Sequence, residues 1–270
     1  METIGFIGGG NMAEALIKGI TAAKIYKPEN ISVSDVRQER LKLLAEQYGI
    51  KPIGDNAAVA ANVDILVLAV KPQNMTDALQ SIKGALKTGA IIISIAAGKK
   101  ISSITGILGE MAVVRVMPNT PALIGEGASA LSANEKAKPM LKKAEKIFSA
   151  VGKVISVDSE DLIDAVTAVS GSGPAYYFLL MEEMIKAAVM LGLPENAAKN
   201  LVLQTAKGAS LLAVEADKKN ETPAQLRRKV TSPGGTTAAA ISVFEQKGFG
   251  TLVADALEAA CRRSRELSKQ

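Results

Sequence analysis

The sequence contains no histidine, no tryptophan and a single cysteine, Cys261. Without histidine and with only one thiol, the chain cannot build a serine–histidine triad or a zinc site of the usual histidine and cysteine kind. One cysteine also forbids an intrachain disulfide, which fits a reducing compartment. We therefore predict neither a metal site nor triad chemistry.

Aromatic residues are also scarce, at 3% of the 270 residues. Base stacking has few side chains to use, so nucleic acid is not an expected partner. No apolar run reaches the roughly 20 residues of a membrane span. The opening METIGFIGGG shows neither a basic segment nor a cleavage pattern of a signal peptide. We expect a cytoplasmic protein with no membrane partner.

Apolar residues make up 48% of the chain, which can supply a substantial core, and the net charge of +5 favours anionic small molecules. Short apolar runs alternate with amphipathic helical patterns in the first half, as in a parallel sheet with crossover helices. Strands are predicted at 3–7, 31–34, 64–70, 90–95, 113–117, 128–132 and 153–157, with helices at about 11–23, 38–48 and about 134–150.

After residue 158 the β-rich runs stop and nearly all of the sequence favours helix. Thr222 and Gln225 form a capping box around Pro223, which predicts a helix start. The fold class is thus α/β, a Rossmann-type doubly wound parallel sheet in a dinucleotide-binding domain at 1–158, followed by an all-helical substrate-binding and dimerisation domain at 159–270. So many apolar helical faces predict a subunit interface.

A glycine-rich turn follows the first predicted strand and opens a helix, in the pattern GxGxxA. Gly8 permits a tight turn, Gly10 lets the backbone approach a pyrophosphate, and Ala13 allows close helix–strand packing. A turn that only connects strand and helix is the alternative. We predict a dinucleotide site that includes Ile7, Gly8, Gly10, Asn11 and Met12.

The end of the second strand decides between the two nicotinamide dinucleotides. Ser34 at the strand end with Arg37 over the adenosine favours NADPH, whereas Asp35 pointing inward favours NADH. We predict Ser34 and Arg37 as ligands of NADPH, with NADH as the other possible cofactor.

Loops at the carboxyl ends of further strands belong to the same predicted site, because open α/β sheets bind ligands there. Asn56 is expected to meet the adenosine, to cap a helix at 57–61, or to do both. Residues 117–119 lie at the carboxyl end of another strand, and the backbone there is expected to line the nicotinamide ribose together with the loops at 69–72 and 96–98. The remaining predicted cofactor ligands are Ala69, Val70, Lys71, Pro72, Ala96, Ala97 and Gly98.

A second anion site is predicted at 230–237, where VTSPGGTT precedes an alanine-rich helix. Pro233 stiffens the loop, Gly234 and Gly235 allow unusual backbone conformations, and Thr236 and Thr237 add hydroxyls beside free N–H groups. A carboxylate or phosphate would fit. The alternative is a turn between helices with threonine capping and no ligand.

Several segments together resemble the pyrroline-5-carboxylate reductase family, along essentially the whole chain. They are GFIGGGNMAEAL at 5–16, AVKPQ at 69–73, AAG at 96–98, MPNTPALIGEGAS at 117–129, EDLIDAVTAVSGSGPAY at 160–176 and VTSPGGTT at 230–237. The resemblance implies NADPH-dependent reduction of 1-pyrroline-5-carboxylate to L-proline. It also implies a homodimer with exchanged helices, and larger rings of five dimers.

The resemblance further implies where the substrate binds. Its carboxylate is expected at Ser232, Gly234, Gly235, Thr236 and Thr237, with Glu160 on the rim. An imine nitrogen can be protonated before hydride arrives, so proximity, at about 3–3.5 Å between reacting carbons, is the main requirement. Thr237, as the catalytic residue, would orient the ring nitrogen.

Two rival functions stay open on the sequence. A β-hydroxyacid dehydrogenase shares the layout, but its GxGxxxK lysine is replaced here by Tyr177, which leaves Lys71 as the substitute acid. A regulator that senses NADP without turnover would not need the second loop, which is intact.

Overall fold

The computed structural model describes residues 2–268. Its central sheet has the strands β1 Ile4–Ile7, β2 Ile31–Ser34, β3 Lys51–Pro52, β4 Ile65–Leu68, β5 Ile91–Ser94, β6 Ala112–Met117, β7 Gly127–Ala133 and β8 Gly152–Ser156. They lie in the order β3-β2-β1-β4-β5-β6-β7-β8. This confirms the Rossmann-type architecture predicted from the sequence, because β1 lies at the point where the strand order reverses.

Seven helices connect or follow the strands: α1 Asn11–Ala22, α2 Gln38–Tyr48, α3 Asn56–Asn62, α4 Met75–Ile82, α5 Ile101–Leu108, α6 Leu141–Ser149 and α7 Leu162–Val166. Alternate side chains of the buried strands enter two apolar clusters. One contains Phe6 and Ile17 of α1. The other contains Ile7, together with Val59 of α3 and Leu79 of α4. Helices therefore contribute to both clusters, as a doubly wound sheet requires.

The strand β7 departs from the parallel arrangement, because it pairs antiparallel with β6 and parallel with β8. Only residues 118–126 connect β6 to β7, with a 3₁₀ turn at Thr120–Ile124. A parallel crossover needs a dozen or more residues, so this short connection forces the strand to reverse. The strand β3, which the sequence analysis missed, is a two-residue exposed edge.

The helical part of the chain contains α8 Gly173–Met190, α9 Glu195–Asp217, α10 Pro223–Lys229, α11 Thr236–Gln246 and α12 Phe249–Leu267, after a π-helical turn at Thr167–Gly171. The predicted capping box at Thr222 is present. Residues to Pro174 form one compact unit with the chain from Glu258 onward, and Ala175–Leu257 form the other. Within residues 2–268, every helix is too short or too polar to span a bilayer.

Candidate active site

The turn between β1 and α1 is the centre of the first candidate site. Gly8 has φ +95°, and a Cβ atom there would lie 2.7 Å from the carbonyl oxygen of Ala69. Only glycine allows this turn to pass against the end of β4. A Cβ atom on Gly10 would meet nothing within 4 Å, so the space beside the start of α1 is open. The loop is thus compatible with the predicted pyrophosphate site.

A cleft of about 760 Å³ lies along this edge of the sheet. Most of the predicted cofactor ligands line it, namely Ile7, Gly8, Gly10, Ser34, Arg37, Asn56, Ala69, Val70 and Lys71. The first N–H groups of α1 have no intrahelical acceptor and receive no side-chain cap. The cleft therefore combines open volume, free N–H groups and the positive end of a helix dipole.

The other predicted cofactor ligands are not part of the wall of this cleft. Asn11 and Met12 form the first turn of α1, and Pro72 begins a 3₁₀ turn. Ala96, Ala97 and Gly98 follow β5. At Gly98 a Cβ atom would lie 2.8 Å from Cβ of Leu267, so this glycine also accommodates the end of α12. Their contact with a cofactor stays a prediction.

The wall contains further residues that were not predicted as NADPH ligands. The sequence analysis linked Asp35 only to NADH, and it missed Val36, Gln73, Asn74, Asp77, Ala78 and Ser81. Three of them lie on α4. The sequence analysis did not predict this helix. No local motif indicates the helix or the face that it presents to the cleft.

A short chain of hydrogen bonds crosses the cleft wall. The Ser34 hydroxyl donates to Oδ1 of Asn56 at 2.6 Å, and Nδ2 of Asn56 donates to the Ser81 hydroxyl at 3.0 Å. Asn56 is not the cap of α3: Asp55 caps this helix by accepting from the N–H groups of Ala57 and Ala58. The capping interpretation of Asn56 was therefore wrong, and its amide lies at the cleft.

Asp35 and Arg37 are paired at the end of β2. Nε of Arg37 donates to Oδ1 of Asp35 at 3.1 Å, and the N–H of Gly9 donates to Oδ2 at 2.8 Å. Burial raises the pKa of Asp35, but the hydrogen bonds from Arg37 and Gly9 outweigh it and hold the pKa below its usual value. The carboxylate is thus ionised, and both of its oxygens accept hydrogen bonds from within the protein.

The second candidate site lies at the start of α11. Gly234 has φ +71°, and the N–H of Gly235 donates to the carbonyl oxygen of Ser232 at 3.0 Å, which closes the turn. Gly235 is the cap residue, and within residues 2–268 no side-chain cap is formed at this helix start. The first N–H groups of α11 are therefore free to meet an anion. Thr236 is exposed and Thr237 is half-buried.

Glu160 belongs to a buried ionic cluster. Its Oε1 accepts from Nη1 of Arg115 at 3.0 Å and from the N–H of Ile101 at 2.7 Å. Nη2 of Arg115 lies 3.9 Å from Oδ1 of Asp164, which accepts from the Ser264 hydroxyl at 2.7 Å. The cluster joins β6, α5, α7 and α12 within the first unit.

Comparison with known proteins gives matches along both parts of the chain. Residues 160–267 match the family described as pyrroline-5-carboxylate reductase dimerisation, and residues 3–98 match NADP oxidoreductase, coenzyme F420-dependent. A pyrroline-5-carboxylate reductase of Pseudomonas aeruginosa is 47% identical over 269 residues, which cover 99% of this chain and 97% of that protein.

Two solved structures are similar over almost the full length. A pyrroline-5-carboxylate reductase from Coxiella burnetii has a TM-score of 0.93 and 43% identity, covering 100% of this chain and 99% of that one. A Plasmodium falciparum pyrroline carboxylate reductase, solved with NADP bound, has a TM-score of 0.86 and 36% identity, covering 99% and 98%.

Proposed function

The chain belongs to the pyrroline-5-carboxylate reductase family, and we infer that it reduces 1-pyrroline-5-carboxylate to L-proline with NADPH, the last step of proline biosynthesis. The observation that carries this function is a pair of glycine-lined helix starts, at α1 and α11, in a chain whose relatives match it from end to end. Neither the hydroxyacid dehydrogenase nor the regulator is favoured by these relatives.

The residues at the first cleft fit the cofactor. NADPH, when bound, supplies the hydride that reduces the C=N bond. We propose that the free N–H groups of α1 hold the pyrophosphate and that Arg37 and Ser34 receive the 2′-phosphate. The loops at 69–72 and 96–98 would then line the nicotinamide end. NADH, which lacks the 2′-phosphate, would use the same loop with weaker binding.

The start of α11 is the proposed substrate site. Its free N–H groups, beside Ser232, Gly234, Gly235 and Thr236, would bind the substrate carboxylate. Thr237 would orient the ring nitrogen through its hydroxyl. We propose Glu160 as a further substrate-binding residue, with its carboxylate aimed by Arg115.

The chemistry explains how a chain without histidine can act as a reductase. Reduction of a carbonyl develops an alkoxide, which needs a protein acid. An imine nitrogen takes its proton from water before reduction, and it becomes a neutral amine when the carbon accepts hydride. The protein therefore has to bind and orient the substrate but does not have to supply a proton.

Assembly follows from the exposed apolar surface of the second unit. Phe178, Leu179, Leu211 and Leu212 are each more than half exposed in the single chain. Large exposed apolar patches mark interaction surfaces. The matched dimerisation family supports an oligomer, and we propose a cytoplasmic homodimer, five of which form a ring. We further propose 158/159 as the boundary between the dinucleotide-binding and substrate-binding domains.

The activity is tested by following the absorbance of the reduced nicotinamide after addition of pyrroline-5-carboxylate. We expect oxidation of NADPH, with proline as the product, and slower oxidation of NADH. No oxidation of either cofactor by the purified protein would refute the function. A β-hydroxyacid in place of the imine, with NADP as oxidant, serves as the control for the rival dehydrogenase.

A further inference from the structure

Asp35 follows the last residue of β2, where NAD-binding relatives of this fold use a carboxylate to bind the ribose hydroxyls. We infer that Asp35 is a positioning residue, which holds Gly9 of the phosphate loop and aims Arg37, and that it does not read the ribose. This inference rests on the proposed function, since the loop it concerns is that of the proposed NADPH site.

The backbone of Gly9 is held at both of its polar atoms. Its N–H donates to Oδ2 of Asp35 at 2.8 Å, and its carbonyl oxygen accepts from Nε of Arg40 at 2.5 Å. Arg40 also pairs with Glu14 of α1, whose second carboxylate oxygen accepts from the Tyr48 hydroxyl at 3.0 Å. Side chains from the β2–α2 region therefore fix the middle of the loop and tie it to α1.

The packing behind Gly9 confirms which way this residue faces. A Cβ atom there would lie 3.0 Å from Cδ1 of Leu44 and 3.4 Å from Oδ2 of Asp35. Gly8 and Gly10 line the cleft, whereas Gly9 is not part of its wall. The loop thus presents its outer glycines to the cleft, and Asp35 holds its middle glycine through a hydrogen bond.

The contacts of Asp35 with Arg37 explain how an acidic residue is compatible with a 2′-phosphate. The Asp35 side chain is 8% exposed and that of Arg37 is 62% exposed. Arg37 donates its backbone N–H and Nε to Oδ1 at 2.9 and 3.1 Å, and Nη2 to Oδ2 at 3.3 Å. The negative charge is neutralised by a guanidinium that stays accessible from the cleft, where it can attract an anion.

The test compares Asp35→Ala with Asp35→Asn, and uses Glu39→Ala as the matched control. Glu39 is an exposed carboxylate in the first turn of α2, so its removal changes the same charge without touching the loop. Dissociation constants of NADPH and NADH are measured by titration of the nicotinamide fluorescence. The thermal midpoint and the steady-state constants of each variant are measured alongside.

We expect Asp35→Ala to weaken both cofactors by about tenfold, since both use the loop, and NADPH at least as much as NADH. The KM for NADPH should rise while kcat at saturating cofactor stays near that of the wild type. Asp35→Asn should recover part of the loss, because its amide oxygen can still accept from Gly9. Glu39→Ala should bind both cofactors as the wild type does.

Two outcomes would overturn the inference. The first is selective loss of NADH with NADPH unchanged or tighter, which would make Asp35 a ribose ligand. The second is unchanged affinity for both cofactors, whether or not the thermal midpoint falls. If Asp35→Ala does not fold, Asp35→Asn decides by the same criteria. Failure of the wild-type protein to bind either dinucleotide refutes the proposed function instead.

Discussion

Arg115 donates a hydrogen bond to Glu160 across 3.0 Å, although the arginine side chain is only 2% exposed. Its Nη2 finds no hydrogen-bond acceptor among residues 2–268 and lies 3.9 Å from Oδ1 of Asp164, too far for a hydrogen bond. The guanidinium therefore has two carboxylates around it but only one hydrogen-bonded partner among them. Removing this charge would leave Asp164 buried beside Ser264 without a cation.

Arg115→Met should consequently lower the free energy of unfolding by about 3 kcal/mol, as the loss of one partner from a buried ionic cluster does. Urea denaturation followed by circular dichroism measures this change. Arg115→Met combined with Asp164→Asn should recover part of it, since the second change removes the uncompensated charge. A double variant no more stable than the single one would contradict this electrostatic explanation.

Thr237→Ala should lower kcat/KM for pyrroline-5-carboxylate by roughly 10- to 100-fold, because the substrate loses an orienting hydrogen bond. The NADPH dissociation constant should hardly change. Steady-state kinetics and fluorescence titration measure the two effects. Thr237→Ser, which retains the hydroxyl, is the matched control and should keep most of the activity. An equal loss of cofactor affinity in Thr237→Ala would show that the residue is assigned to the wrong site.

Arg37→Ala should weaken NADPH by at least about tenfold and NADH by much less, because a charge-assisted contact to the 2′-phosphate is lost only with NADPH. Titration of each reduced cofactor against the variant gives the ratio. Arg37→Lys keeps the positive charge but loses the forked donors of the guanidinium. The ratio of the NADPH to the NADH dissociation constant should then lie between those of the wild type and Arg37→Ala. Equal weakening of the two cofactors would refute a role for Arg37 in reading the phosphate.

The ionisation of Asp64 should make the free energy of unfolding depend on pH in acid solution. The hydrogen bond from Lys87, followed by that from the Thr3 N–H, lowers its pKa to about 2 from 3.8. Because the folded pKa is below the unfolded one, the stabilisation is present above about pH 4 and is lost as the pH falls towards 2. Allowing for solvent screening, Asp64→Asn should cost about 1 kcal/mol at pH 7.

Unfolding free energies at pH 7, 5, 4 and 3 check this expectation. The gap between wild type and Asp64→Asn should be constant at and above pH 5 and should shrink below pH 4. Asp158→Asn, which removes a carboxylate at an exposed position, serves as the control for the change of net charge. A gap that widens in acid would mean that the sign of the Asp64 contribution is wrong.

The features that were predictable from the sequence are those in which neighbours in sequence act together. The turn at Gly8 and the capping box at Thr222 depend on a few adjacent residues, and the apolar strands depend on local pattern. By contrast, the chain brings Asp35 to Gly9 and Arg115 to Glu160 from 26 and 45 residues away. Such pairs depend on the fold itself, which local patterns do not specify. Asp55 caps α3, and Asn56 does not. Both residue types can cap a helix, so a shift of one residue in the helix start decides which of them does so.

The contacts of Ser264 with Asp164 and of Leu267 with Gly98 have a consequence for biosynthesis. The amino end of a chain emerges from the ribosome first. The strands of the sheet therefore emerge before Ser264 and Leu267 are made. Until then the buried carboxylate has no hydroxyl to meet, and the turn after β5 has no helix against it. The nucleotide-binding unit therefore reaches its final packing only after every residue of the other unit, Ala175–Leu257, has been synthesised.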